Sequence, residues 1–202
     1  YGFVKKADWD KFVRDGTIET AKGKVVLTFD DAMRCQYDYV FPELEKRGLR
    51  GIFYVPSMPY TEQKLLDVHR IHLLCGAFEG KKLREDILSL LSEDMIPDSK
   101  REEFRKMTYV GQDNYKGVSE FKKILNYYVD YKYRESLIDQ VAFNFNYKFD
   151  AEKFYVSPQN LKTMSDAGHV IGSHTFSHPV MSKLSRAEQK IQIETSFAFL
   201  SS

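Results

Sequence analysis

The sequence predicts an α/β protein built on a parallel sheet, with a long helical segment inserted between two α/β stretches. Three observations carry this. Residues 25–29, Val-Val-Leu-Thr-Phe, have strand composition and run straight into two acids, Asp30 and Asp31. A helical pattern and a second strand follow within about thirty residues, a βαβ unit whose strands are parallel and whose crossover is right-handed. Residues 60–150 then show helical periodicity with no convincing strand before the α/β pattern resumes.

Taken in order, residues 1–23 are polar, with Trp9 and Phe12 on one short helical face and Gly16 and Gly23 bracketing a turn. The strand at 25–29 contains no polar residue but Thr28, so it is expected to be buried on both faces. Tyr37, Val40, Phe41 and Leu44 recur at helical spacing, and Lys46-Arg47-Gly48 reads as a helix C-terminus. Gly51–Val55, closed by Pro56, reads as the second strand. Helical patterns follow at 65–78, 83–95, 99–107, 118–129 and 133–145. The organisation is therefore 1–59, first part of the α/β region; 60–150, helical insertion; and 151–202, its continuation. In that last part, Phe154-Tyr155-Val156 is expected to be a strand. Leu161, Met164 and Ala167 line a short helix stopped by Gly168, and Val170-Ile171-Gly172 forms a further strand. Ser185 with Glu188 three residues on is a capping box, opening a helix through Ile191 and Ile193 towards Leu200.

The 202 residues suffice for one good core and a large insertion. With 43% hydrophobic and 29% charged residues the chain is an ordinary globular one, and a net charge of +1 argues against nucleic acid or an anionic membrane as its main partner. No stretch reaches the apolar length of a membrane span, so no transmembrane segment is expected. The two cysteines, Cys35 and Cys75, lie outside any CxxC pattern and are read as free, buried thiols. Localisation is left open between cytoplasm and bacterial cell envelope.

The chemistry concentrates in two pairs. One Asp after a strand reads equally well as a helix N-cap; two in tandem at the carboxyl end of an apolar strand favour a site. His174 and His178 stand four apart after another strand. On one helical turn that spacing would bring both imidazoles to one face, as zinc sites use; alone, it is more ordinarily a pair of loop histidines bonded to backbone. Both pairs follow apolar strands, and in a parallel sheet such ends converge. Two imidazoles and one carboxylate form a three-ligand set that leaves positions open, the catalytic rather than the structural pattern for Zn²⁺. The second carboxylate is then free to act as a base.

These residues carry a resemblance. Thr28-Phe29-Asp30-Asp31, followed far downstream by Gly168-His169-Val170-Ile171-Gly172-Ser173-His174-Thr175-Phe176-Ser177-His178-Pro179, resembles the opening and histidine motifs of the polysaccharide deacetylases, the NodB-homology domains of carbohydrate esterase family four. The resemblance covers about residues 24–56 and 154–200 and not the helical segment. It implies a distorted (β/α) barrel, here incomplete. It implies Asp31, His174 and His178 as metal ligands, Zn²⁺ as the default ion, and Asp30 as the catalytic base. The reaction implied is removal of acetyl groups, N-acetyl foremost, from a carbohydrate by metal-activated water. Ala32 stands where the family usually has Gly, which asks for a different loop backbone. The family's Arg-Pro segment, its acid-and-aromatic motif and its final Leu-x-His are not found in these 202 residues, so the chain is expected to be the N-terminal part of a longer protein. The alternative reading is a catalytically weak member that keeps the metal site and binds a glycan.

The remaining candidates read as structural. His69 and His72 are expected in a core or interface, His169 at the surface, and Cys35 as a buried thiol rather than a nucleophile.

Overall fold

The computed structural model describes residues 2–16, 23–109, 114–151 and 153–201, and the chain divides into two compact units, 1–64 with 150–202 and 65–149. The first unit begins with β1 (Gly2–Phe3) and helix α1 (Lys6–Asp15), which ends at Gly16 in the left-handed conformation, φ 73°. β2 (Lys24–Val25) pairs in parallel with β1, and after a break at Val26 the chain enters β3 (Leu27–Asp30). A π-helical turn, Gln36–Val40, runs into α2 (Phe41–Lys46), whose end is marked by Gly48 at φ 62°. β4 (Gly51–Val55) and the short α3 (Met58–Thr61) complete this half.

The helical unit contains α4 (Asp67–Ala77), α5 (Gly80–Leu90), α6 (Asp98–Tyr109), α7 (Asn114–Lys123) and α8 (Tyr131–Asn144). Its core is an all-apolar cluster that includes Ile71, Leu74, Leu83, Ile87, Phe121, Ile124, Leu125, Ile138 and Val141. α5 and α7 approach at Gly80 and Gly117: a Cβ on Gly80 would stand 2.5 Å from the Val118 backbone nitrogen. Side chains any larger would hold these helices apart. His69 is buried on α4 and His72 is exposed on it.

Back in the first unit, α9 (Pro158–Asp166) is capped by the Ser157 side chain, and Gly168 at φ 93° ends it. β5 (Val170–Ser173) follows, and α10 (Arg186–Leu200) opens with the expected capping box: Ser185 Oγ accepts from Glu188 N–H at 3.3 Å and Ser185 N–H donates to Glu188 Oε2 at 2.7 Å. The sheet runs β3-β4-β5, all parallel, with Asp30, Tyr54 and Gly172 level across it. Three strands among the described residues make an α/β sheet and do not close a barrel.

Alternation gives this sheet two different faces. Leu27, Phe29, Phe53, Val55 and Ile171 pack against Leu44, Leu161 and Met164 of α2 and α9. The other face carries Thr28, Asp30, Tyr54, Gly172 and, two residues on, His174.

Several expectations are corrected here. The first strand is not buried on both faces: β3, at an edge of its sheet, alternates half-buried and exposed residues, and Val25 and Val26 before it are 45% and 38% exposed. The strand with both faces covered is β4, which sits between two neighbours. Residues 154–156 form one antiparallel bridge, Met33 with Tyr155, instead of a strand. Cys35 is exposed and Cys75 half-buried, both free; burial pushes the Cys75 thiol up. His169 is not at the surface. Its side chain is 0% exposed, with Phe41 and Phe53 edge-on to the ring. Its Nδ1 accepts from Gly51 N–H at 3.1 Å, so Nε2 carries the proton and donates to Glu45 Oε1 at 3.2 Å. Burial holds its pKa below the ordinary histidine value, against the opposing pull of Glu45. No helix among the described residues is long and apolar enough to cross a membrane.

Candidate metal centre

β3 ends at Asp30, and the chain turns at once: Asp31 has φ 74° and Ala32 φ 51°. Left-handed backbone is uncommon outside glycine, tolerated by Asp and costly by about 1–2 kcal/mol for Ala. The turn is held by cross-links to 154–156, with Val156 N–H donating to Ala32 O at 2.9 Å and Arg34 N–H to Phe154 O at 2.8 Å. Gln36, itself buried, donates from Nε2 to the Asp30 carbonyl. Ala32 thus adopts a backbone that a glycine would accept without strain, while its methyl group is buried in the core cluster. The departure from Gly leaves the turn in the glycine-like conformation.

The histidine segment leaves β5 with His174 N–H donating to Val55 O at 3.0 Å, one step beyond the β4–β5 ladder. Ser57 and Met58 N–H donate to the Thr175 and Phe176 carbonyls at 3.3 and 2.9 Å, tying the segment to the chain after β4. Thr175 and His178 have φ of 66° and 55°. His178 N–H donates to Thr175 Oγ1 at 3.1 Å. Residues 174–178 form no helical turn: the two imidazoles meet because a tight loop reverses the chain. Their ring centroids are 4.7 Å apart.

The two segments converge. Asp31 Oδ1 lies 3.5 Å from His174 Nε2 and 3.4 Å from His178 Nε2, and one ligand atom from each of the three residues lies within 4.8 Å of the others. All three side chains are about a quarter exposed, open to solvent but rooted in the fold. For bonds of about 2.0–2.2 Å, tetrahedral ligands of Zn²⁺ stand about 3.3–3.5 Å apart. The two carboxylate–imidazole separations fall in that range and exceed a good hydrogen bond. The donor set, two imidazole nitrogens and one carboxylate oxygen, suits a divalent metal of the zinc class.

Asp30 does not join this cluster. Its side chain is exposed at the end of β3 and, among the described residues, its carboxylate makes no hydrogen bond or ion pair. It lies level with Tyr54, whose ring covers Gly172 so closely that a Cβ there would stand 2.9 Å away. The Tyr54 ring is 6.2 Å from that of His174. Sequence reasoning missed Tyr54 and the clamp on Asp30 by Gln36. The only signal for either was position: Tyr54 is partner in register to Asp30, and Gln36 opens the next helical turn. The open face thus presents an unpaired carboxylate, an aromatic ring and the Asp31–His174–His178 cluster side by side.

Compared with known proteins, residues 127–202 match the family model described as polysaccharide deacetylase. That match bears out the resemblance and takes in the histidine segment, α9, β5 and α10. It begins at residue 127, inside the helical unit, upstream of where the motifs alone placed the resumption. No curated protein and no solved structure matches the chain.

Proposed function

With residues 127–202 a polysaccharide deacetylase segment, we propose that the chain is a carbohydrate deacetylase that hydrolyses acetyl groups, N-acetyl foremost, from a sugar. The family match supports this at the level of the reaction class. The observation that carries it further is the convergence of Asp31 with His174 and His178, residues more than 140 positions apart in the chain, at 3.5 and 3.4 Å. On this reading Asp31, His174 and His178 hold a divalent ion, Zn²⁺ by the donor set. Bound there, such an ion would lower the pKa of water and polarise the acetyl carbonyl.

The chain's own residues supply the rest. Asp30, exposed and unpaired beside the triad, takes the proton from the attacking water. The Gln36 clamp on the Asp30 carbonyl and the left-handed turn at Asp31 keep the two adjacent carboxylates on separate tasks. The open sheet face beside Tyr54 admits the sugar. The finer fold assignment, a distorted (β/α) barrel with that face as its interior, belongs to this proposal, as does the helical unit as an insertion.

The test is metal analysis with an acetate-release assay on chitin oligomers, peptidoglycan, acetylated xylan and lipid-linked sugars. His174→Ala should lose metal and activity together, the latter by more than about 10³-fold. Asp30→Ala should keep its metal and lose turnover; unimpaired acetate release from it would remove Asp30 from the base role. A wild-type protein that binds metal and glycan but releases no acetate would turn the reading towards a binding member.

A further inference from the structure

α10 packs Phe199 and Leu200 against the core at its C-terminal end, but the turns before it are inverted. Its exposed positions include Ile191, Ile193 and Phe197, all large and apolar. The face it turns to the histidine segment carries Gln189, Gln192 and Ser196, spaced i, i+3 and i+7, which on a helix form one narrow stripe. A surface helix ordinarily buries the apolar stripe and exposes the polar one. Here each member of the polar stripe is hydrogen-bonded to the chain between residues 173 and 184. Gln189 Nε2 donates to the carbonyls of Met181 and Leu184 at 3.0 and 3.1 Å. Gln192 clamps Ser177 on two sides: its Oε1 accepts from Ser177 N–H at 2.8 Å and its Nε2 donates to Ser177 Oγ at 3.0 Å. Ser196, 0% exposed, bonds Ser173 across 2.8 Å between their hydroxyl oxygens, and Ser173 Oγ accepts from Thr175 N–H at 3.4 Å.

We propose that this stripe, with Gln192 at its centre, is the positioning element of the metal centre: it holds the loop between His174 and His178 in the one conformation that brings both imidazoles to Asp31. The inference rests on the metal-centre reading above. Ser177 immediately precedes His178, whose backbone is left-handed, as is that of Thr175. A loop with two such residues relaxes to other conformations unless its surroundings over-determine it. His178 N–H is satisfied within the loop by Thr175, but Ser177 N–H faces α10 and is satisfied by Gln192. Releasing Ser177 frees the 176–177 peptide, one step before the peptide that leads into His178. The hydrogen bonds that Gln192 makes to this loop go to Ser177. Gln192 acts through the loop, as outer hydrogen bonds act on the ligands of metal sites generally.

The test is Zn²⁺ or Co²⁺ affinity of the full chain, titrated by competition with a chelator, for wild type, Gln192→Met, Gln192→Glu, Ser177→Ala and His174→Ala. Gln192→Met keeps the shape and removes the hydrogen bonds; it should weaken metal binding by about ten-fold or more. Gln192→Glu still accepts from Ser177 N–H and O–H and should restore most of that loss. Ser177→Ala keeps the N–H bond to Oε1 and should lose less, within about ten-fold. The Co²⁺ absorption band should broaden in Gln192→Met and not in Gln192→Glu, which a merely structural contact would not produce. If Gln192→Met and Ser177→Ala both bind metal as wild type does while His174→Ala does not, the positioning role is overturned and the metal centre stands. If wild type and His174→Ala bind equally, the metal centre falls and the positioning role with it.

Discussion

The two units of this chain use burial in opposite ways. The helical unit, 65–149, is conventional: it is built round a large apolar cluster, and its buried charges Arg70, Glu120 and Arg134 are paired. Arg70 pairs with Asp67 and Asp139, Arg134 with Asp67 at 3.0 Å, and Arg84 with Glu120. Burial there contributes stability. In the α/β unit, the apolar cluster on one face of the sheet is smaller, and much of the packing around the other end is polar. Four non-glycine residues sit at positive φ within the two segments that meet at the proposed metal centre: Asp31, Ala32, Thr175 and His178. A buried serine and a stripe of glutamines stand where a helix would ordinarily place leucines. The contrast separates two purposes: the helical unit is packed for stability, whereas the α/β unit holds strained backbone through directed hydrogen bonds so that particular atoms meet.

The sharpest way to break that contrast is to damage the helical core. Phe121 is fully buried in its centre, and Phe121→Ala should cost about 3–5 kcal/mol of unfolding free energy. Metal affinity of the folded protein should stay at the wild-type value. A chelator titration showing affinity falling in step with stability, under conditions where the variant is still folded, would end the separation of purposes. Next in size is Gly80→Ala. The added methyl would press on the backbone of α7, and we expect about 2 kcal/mol of destabilisation in denaturant melts, again without a change in metal affinity. A neutral result would mean that α5 and α7 can part more easily than their glycine contact suggests.

The smallest effect concerns the α/β unit and pH. His169 is held neutral, its pKa below the ordinary value. The folded chain therefore binds fewer protons than the unfolded one in the window beneath about pH 6.5. Its contribution is fully present above that pH and is lost as pH falls through the unfolded value towards the folded one. Glu45 and Arg50 are the charged groups facing the ring. Melts between about pH 7.5 and pH 5.5 should show wild type losing stability on the acid side and His169→Gln losing less. Parallel slopes for the two proteins would remove His169 as the cause.

Much of this was legible in the sequence where the physics is local. The capping box at Ser185 and Glu188, the glycine stops at Gly48 and Gly168, and the helical patterns of 65–145 depend on residues a turn apart, and the structure has each of them. The acid pair and the histidine pair could be recognised by type and spacing. Other features were not legible because they depend on what a segment meets. Residues 25 and 26 look as though they belong inside, yet Val25 sits in the two-stranded β1–β2 pair and Val26 in the break before β3, where both stay exposed. Residues 154–156 have strand composition, yet they make one bridge that pins the acid turn. His169 reads as a polar residue before a strand, yet Gly51 N–H and Glu45 supply both partners it needs to be buried.

The chain alone determined which side chains are available for chemistry and where the helices run, because those depend on residue type and short-range periodicity. The tertiary structure decided how they meet. Four-residue spacing between His174 and His178 suggested a helical turn; instead a left-handed loop, held by Thr175 within and by α10 from outside, brings the rings together. Residue type and spacing alone do not tell the acids at 30 and 31 apart, and only the family resemblance gave them different roles; in the structure β3 pairing and the turn at φ 74° send the Asp31 carboxylate to the histidines and leave Asp30 exposed. Such choices rest on strand register and on hydrogen bonds between residues far apart in the chain, which no local pattern records.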